Sequence, residues 1–261
     1  MASYPPGQCC IQGFRHEGEA TGQIITFGPE NVQAYVATAA PDKVRNGSGI
    51  LFVPDIFGLW QNTKLVADQF AAEGYTTFVV DVFKGDPLPY PPPMDLNFRK
   101  WIEEGDDGKP PHNSAVIDPI ILDAVRALKE RYGVTKVGAV GYCFGAKYVV
   151  RHLNKTSGID SGFFAHPSFV TQDELAGVQG PLSIAAAEVD QQFPPDLRHL
   201  SEEILQKIGL PYQINLYSGV SHGFAIRADI SQPQQKWAKE QAHAQAVAWF
   251  DHTLQLSSEK L

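Results

Sequence analysis

Short apolar runs alternate with amphipathic stretches along most of this chain. "SGILFVPD" (48 to 55) is continuously apolar and bounded by turn residues, the pattern of a strand buried on both faces of a sheet. "YTTFVVD" (75 to 81) is a second buried strand, and "KVGAVG" (136 to 141), "GFFAH" (162 to 166), "LSIAAAE" (182 to 188) and "YQINLYS" (212 to 218) read as further strands. Between them the spacing predicts helices from Trp60 to Ala72, from Asp118-Pro119 to a cap at Gly133, from Gly145 to Leu153, and around Leu197 to Ile208. A last amphipathic helix carries Trp237, Ala244, Val247, Ala248 and Leu254 on its predicted apolar face. Ahead of this series, "QIITFGPENVQAYVATA" predicts a hairpin turning at Gly28-Pro29-Glu30-Asn31. Strands alternating with helices predict an α/β fold, with a mostly parallel central sheet covered on both faces.

Two segments break the alternation. Residues 1–23 are rich in glycine, proline and polar residues and read as a surface arm. Residues 84–113 hold seven prolines and no clear period, which predicts a lid-like loop with one short helix near Leu96 to Glu103. Neither is a linker, and no repeat is present, so residues 1–261 are expected to form a single domain.

Composition narrows the function. The chain has 261 residues, 43% of them hydrophobic, and a net charge of -8, which argues against nucleic acid or an anionic membrane as a partner. No run approaches the ~20 apolar residues of a membrane helix, and "MASYPPGQCC" lacks the features of a signal peptide. A cytoplasmic location is the default, with a monomer or homodimer acting on a small molecule. Three cysteines do not make a disulfide framework. Cys9-Cys10 reads as an unpaired surface dipeptide. The eight histidines show no metal-ligand spacing such as HExxH, so neither metal nor cofactor is expected.

The chemistry should sit at the carboxyl ends of the parallel strands. There the sequence places Asp55, Asp81, Cys143, His166, Asp190 and His222. "GYCFG" (141 to 145) has the spacing of a nucleophile elbow: a strand turns sharply into a helix, and side chains two before and two after the nucleophile would collide with neighbouring backbone. The helix N-terminus favours a thiolate at Cys143. His222, in the glycine-rich "YSGVSHGFAIR", is the candidate base, and Asp190, beyond the apolar "SIAAAEV", the acid that orients it, with Glu188 a competitor. Nucleophile, acid and histidine follow in the chain order of α/β-hydrolases. An oxyanion hole needs two backbone N–H groups, for which Phe144 and Ile56 are the candidates.

With these residues in place, the chain resembles the dienelactone hydrolase family from about residue 32 to 255. "PDIFG" is similar to the family's first oxyanion loop, "GYCFGAKY" to its elbow, "EVDQQFP" to its acid loop and "SHGFAIR" to its histidine loop, while "HPSFV" and "HGFAIR" resemble the fungal branch. The resemblance implies an α/β-hydrolase fold, a Cys-Asp-His triad, hydrolysis of an ester or lactone, and no metal or organic cofactor. It also marks departures. Asp55 stands where the bacterial enzymes carry a glutamate that pairs with the resting cysteine. Arg227 and Arg99 are the candidates for arginines that hold a substrate carboxylate. His166, Trp60, Tyr90, Phe98 and Trp101 are possible site walls. Dienelactone itself is therefore not assigned as substrate. Three other readings stand beside hydrolysis: a fungal biosynthetic enzyme using the same site for acyl transfer, carbon–carbon bond formation or cyclisation of a polyketide-type intermediate; a binding module without turnover; and a partner-docking surface on the long aromatic and proline-rich loop.

Overall fold

The computed structural model describes residues 1–45, 47–93, 96–105 and 108–255. Of the expected lid-like loop, Met94, Asp95, Asp106 and Asp107 lie outside the described residues. Eight strands form one sheet: β1 (Gln23–Phe27), β2 (Val32–Ala37), β3 (Ser48–Val53), β4 (Thr76–Val80), β5 (Lys136–Tyr142), β6 (Ser161–Ala165), β7 (Leu182–Val189) and β8 (Tyr212–Ser221). Their spatial order is β1-β2-β4-β3-β5-β6-β7-β8. The hairpin β1–β2 and the β2–β4 pair are antiparallel, and every later pair is parallel. This is the mostly parallel α/β sheet that the alternating pattern predicts.

Strand alternation divides the core between the two faces. Leu51 and Val53 of β3 point into one cluster, Ile50 and Phe52 into the other. The first face is covered by α3 (Ser114–Tyr132), α4 (Gly145–His152), α5 (Gln172–Ala176) and α6 (Pro195–Ile208). The second is covered by α1 (Gln61–Ala72) and α8 (Pro233–Thr253). Two shorter helices, α2 (Phe98–Glu104) and α7 (Phe224–Arg227), lie in the proline-rich segment and directly after His222.

Two helix expectations need correction. α3 begins at Ser114, not at Asp118-Pro119, because Asn113 caps it, its side chain accepting hydrogen bonds from the N–H groups of Ala115 and Val116. Asp118 is instead drawn to α4, where it pairs with Arg151 and His152. At α8 the predicted face holds in part: Leu254 is buried and Val247 packs against the core, but Ala244 and Ala248 are exposed. Ala238, Ala242, Ala246, Trp249 and Phe250 face the sheet, while Trp237 is 51% exposed. The helix is alanine-rich, so its apolar stripe is too weak to fix its orientation.

Candidate active site

The β5–α4 connection has the geometry of an elbow. Cys143 sits at its tip with φ +53, a conformation that a non-glycine residue rarely adopts. A Cβ on Gly145 would lie 2.1 Å from the Val53 carbonyl oxygen, and one on Gly141 would lie 2.6 Å from that of Gly145. Both obstacles are backbone, so both positions require glycine. His166 (φ +38) and Phe169 (φ +69) are also in the left-handed region, on the loop after β6 that faces the elbow. That loop is tied to Cys143 by the Ser168 N–H, which donates to the Cys143 carbonyl at 3.0 Å, and by the Ser168 hydroxyl, 3.6 Å from Cys143 Sγ.

His222 enters from the end of β8. Both Asp190 carboxylate oxygens lie 2.9 Å from its Nδ1, which assigns the Nδ1 proton to that bond and turns Nε2 toward the thiols. Asp190 is itself fixed by the N–H groups of Gln192 and Phe193. Glu188, the competing acid, accepts from the Gly219 N–H at 2.7 Å on the exposed side. Neither Ile56 nor Phe144 donates its N–H among the described loop and turn bonds.

Electrostatics bind these groups into one unit. Burial alone disfavours a thiolate at Cys143, but the hydrogen bond from Cys10, the charge of His222 and that of Arg227 outweigh it and hold the thiol well below its ordinary value. Burial likewise disfavours an imidazolium at His222, yet Asp190 and Cys143 outweigh it and keep the ring charged well above the ordinary histidine range. The pair is therefore poised as thiolate and imidazolium. His166 is the opposite case. It is fully buried, neither ring nitrogen has a hydrogen-bond partner among the described residues, and burial with the nearby charges of His222 and Arg227 keeps it neutral. Its ring packs against that of His222, centroids 5.1 Å apart.

The remaining candidates are placed differently from expectation. Asp55 does not hydrogen bond to Cys143. Its carboxylate is ion-paired with Arg227, both side chains being fully buried. Burial pushes Asp55 up to about 6 against the pull of Arg227. Arg227 in turn donates Nε–H to the Gln12 carbonyl at 2.9 Å. It is thus part of the wall, held by internal partners through Nε and Nη1, while its buried Nη2 has no hydrogen-bond partner among the described residues. Arg99 is exposed and bonded to Glu103, far less confined than a substrate clamp. Trp60 stacks on Phe57 and Tyr90, and the Arg227 guanidinium lies over the Phe57 ring. Arg99, Leu96, Phe98 and Ile102 line a cavity of about 670 Å³ with Pro5 and Phe169. The α2 segment faces the arm across it.

The largest departure concerns the arm. Residues 8–11 form a single turn that brings Cys10, fully buried, to 3.4 Å from His222 Nε2. Cys9 donates its thiol proton to Gln192 Oε1 at 2.9 Å. The dipeptide that reads as surface in the sequence is inside the site, and Cys143 is completely covered. Period and composition carry no signal for this, because the arm has no regular structure of its own; the doubled cysteine was the one available flag. Ser168 carried none.

The model of the dienelactone hydrolase family matches residues 32–254. The hydrolase pyvD of Aspergillus violaceofuscus is 45% identical over 255 residues, covering 97% of this chain and 99% of that protein. The hydrolase tropI of Talaromyces stipitatus is 44% identical over 254 residues, covering 96% and 98%. Among solved structures, a dienelactone hydrolase from Anabaena variabilis superposes with a TM-score of 0.62 at 12% identity, covering 92% of this chain and all of the other, a likeness of fold. No helix among the described residues is long and apolar enough to cross a membrane.

Proposed function

The chain belongs to the dienelactone hydrolase family and is a hydrolase, and we propose that it cleaves a small ester or lactone through a thioester on Cys143. The observation that carries this reading is the elbow cysteine with φ +53, made acidic beside a histidine whose other nitrogen is held by a buried aspartate. The thiolate attacks the carbonyl carbon, and the carbonyl oxygen takes up negative charge between the N–H groups of Ile56 and Phe144. As the carbon–oxygen bond breaks, His222 gives its Nε2 proton to the departing oxygen. Neutral His222 then takes a proton from water, hydroxide adds to the thioester, and the acid leaves as the thiolate and imidazolium are restored. Asp190 holds the ring orientation throughout.

Cys143 is reached only after the turn at residues 8–11 draws aside, since Cys10 occupies the position facing Nε2. The likeness to two fungal hydrolases at 45% and 44% identity favours a small fungal metabolite ester over dienelactone. The test is product analysis in ¹⁸O-labelled water. Hydrolysis puts one label into the released acid. An unlabelled cyclised or carbon-coupled product would assign the same acyl-enzyme to biosynthetic transfer instead.

A further inference from the structure

The reaction above uses Cys143, His222 and Asp190, and it leaves two thiols unexplained. We propose that Cys9, Cys10 and His222 form a binding site for a soft divalent cation of the zinc class, which closes the enzyme by capturing its general base. One donor atom from each of these residues lies within 4.8 Å of the other two, and Cys10 Sγ is 3.4 Å from His222 Nε2. In a tetrahedral zinc site, bond lengths of about 2.3 Å to sulfur and 2.0 Å to nitrogen separate those ligand atoms by about 3.5 Å. The Cys10–His222 pair already has that spacing, and Cys9 needs to move by about 1 Å or less.

Two further features fit coordination. Metal-bound histidines almost always give their second ring N–H to a carboxylate or carbonyl. Asp190 does this at Nδ1 and leaves Nε2 for the ion. The turn bearing the two thiols is held on both sides. Before it, the Tyr4 N–H donates to the Gln192 carbonyl at 2.7 Å and the Gln192 side chain to the Pro5 carbonyl at 3.0 Å. After it, Arg227 holds the Gln12 carbonyl, and the Phe14 N–H donates to the Arg227 carbonyl at 2.9 Å. Cys143 Sγ is not among the donor atoms that lie within 4.8 Å of one another, so the fourth position is left to an outside ligand such as water or chloride, as in three-ligand zinc sites. Two sulfurs and one imidazole select zinc or cadmium over magnesium or calcium, which require oxygen.

Such a site is inhibitory because one of its three protein ligands is the base of the reaction, His222. The ion ties the arm to His222 and removes the Nε2 lone pair from acid–base work. Ligation exchanges protons for metal–ligand bonds, so the thiol protons of Cys9 and Cys10 and the Nε2 proton of His222 are released and affinity falls as pH falls.

The experiment titrates chelator-treated full-length protein with zinc chloride against a chromophoric chelator, and with cadmium chloride to read the sulfur-to-cadmium charge-transfer absorbance. One ion per chain with submicromolar affinity is expected. Cys9→Ser and Cys10→Ser should each weaken zinc binding by about 100-fold or more and reduce the charge-transfer band, with circular dichroism confirming the fold. Cys143→Ala should keep a tight site, because Cys9, Cys10 and His222 remain. Binding is read without turnover, so failure of the ester reading leaves this result intact. The proposal is overturned if the wild-type protein does not bind zinc below micromolar concentration. It is equally overturned if Cys9→Ser and Cys10→Ser bind like wild type while Cys143→Ala does not, which would place the ion on the Cys143–His222 pair alone.

Discussion

Replacing Arg227 by methionine should destabilise the fold strongly at alkaline pH and weakly at acid pH. Arg227 and Asp55 form an ion pair with both side chains fully buried. Removing one member of such a pair costs about 3–5 kcal/mol, because the other charge is left without a partner. Asp55 has an escape, which is to bind a proton. Burial already pushes it up to about 6, and without the guanidinium it rises further. The sign follows from the raised folded-state value. Folded Arg227→Met holds a proton between pH 6 and 8 that both the wild type and the unfolded chain have released. Its stability is therefore present at low pH and lost as pH rises. Each pH unit in that interval adds about 1.4 kcal/mol to the deficit. Two units give about 3 kcal/mol, so the loss should be about 3–5 kcal/mol at pH 8 and about 0–2 kcal/mol at pH 5. Urea denaturation of both proteins at the two pH values, followed by tryptophan fluorescence, reads this directly. Asp55→Asn provides the contrast: it strands a guanidinium that cannot deprotonate and removes the titration of Asp55 at about 6, so its loss should be about 1.4 kcal/mol smaller at pH 8 than at pH 5, the opposite trend. The reasoning is refuted if the Arg227→Met loss is the same at pH 5 and pH 8, or is below about 1 kcal/mol at pH 8.

The elbow and the ion pair make two more predictions. Gly145→Ala puts a methyl 2.1 Å from a backbone oxygen and should cost about 3 kcal/mol or prevent folding; Gly177→Ala, whose nearest neighbour lies at 3.3 Å, should be near neutral, and thermal melts compare the two. Alkylation of Cys143 by iodoacetamide should proceed at nearly constant rate from about pH 6 to 9, where an ordinary thiol rises through 8.5. Asp190→Asn, which removes the charge that keeps His222 protonated, should lower the rate at pH 6.5 by about 10-fold or more, as read by peptide mass spectrometry.

What the sequence conveys well is whatever local sterics and periodicity dictate. The central parallel strands announce themselves because both faces are buried, as in the apolar stretches of β3 and β5, whereas β8, at the sheet edge, is largely exposed or half-buried. The elbow is legible because Gly141 and Gly145 are forced by backbone only 2 to 3 Å away. Partner choice is less visible. Asp118 looks like an N-cap until Arg151 and His152 claim it from another helix. Asp55 looks like a partner for Cys143 until Arg227, 172 positions away, takes it. The arm is least visible. Cys10 reaches His222 across 212 positions through a turn with no regular pattern, and nothing local in "PPGQCCIQG" indicates that these thiols point inward. A side chain's neighbours along the chain set its backbone, while its partner in an ion pair or hydrogen bond is set by the whole fold.

The central claim is that Cys143 carries the acyl group. Mixing the protein with an activated aryl ester, quenching in acid within the first turnovers and mapping the adduct by peptide mass spectrometry tests it most directly. The account predicts one acyl group per chain on the peptide containing Cys143, and neither adduct nor turnover in Cys143→Ala. Full turnover in Cys143→Ala, or an acyl group found on Cys9, Cys10 or Ser168 while Cys143 stays free, would contradict it.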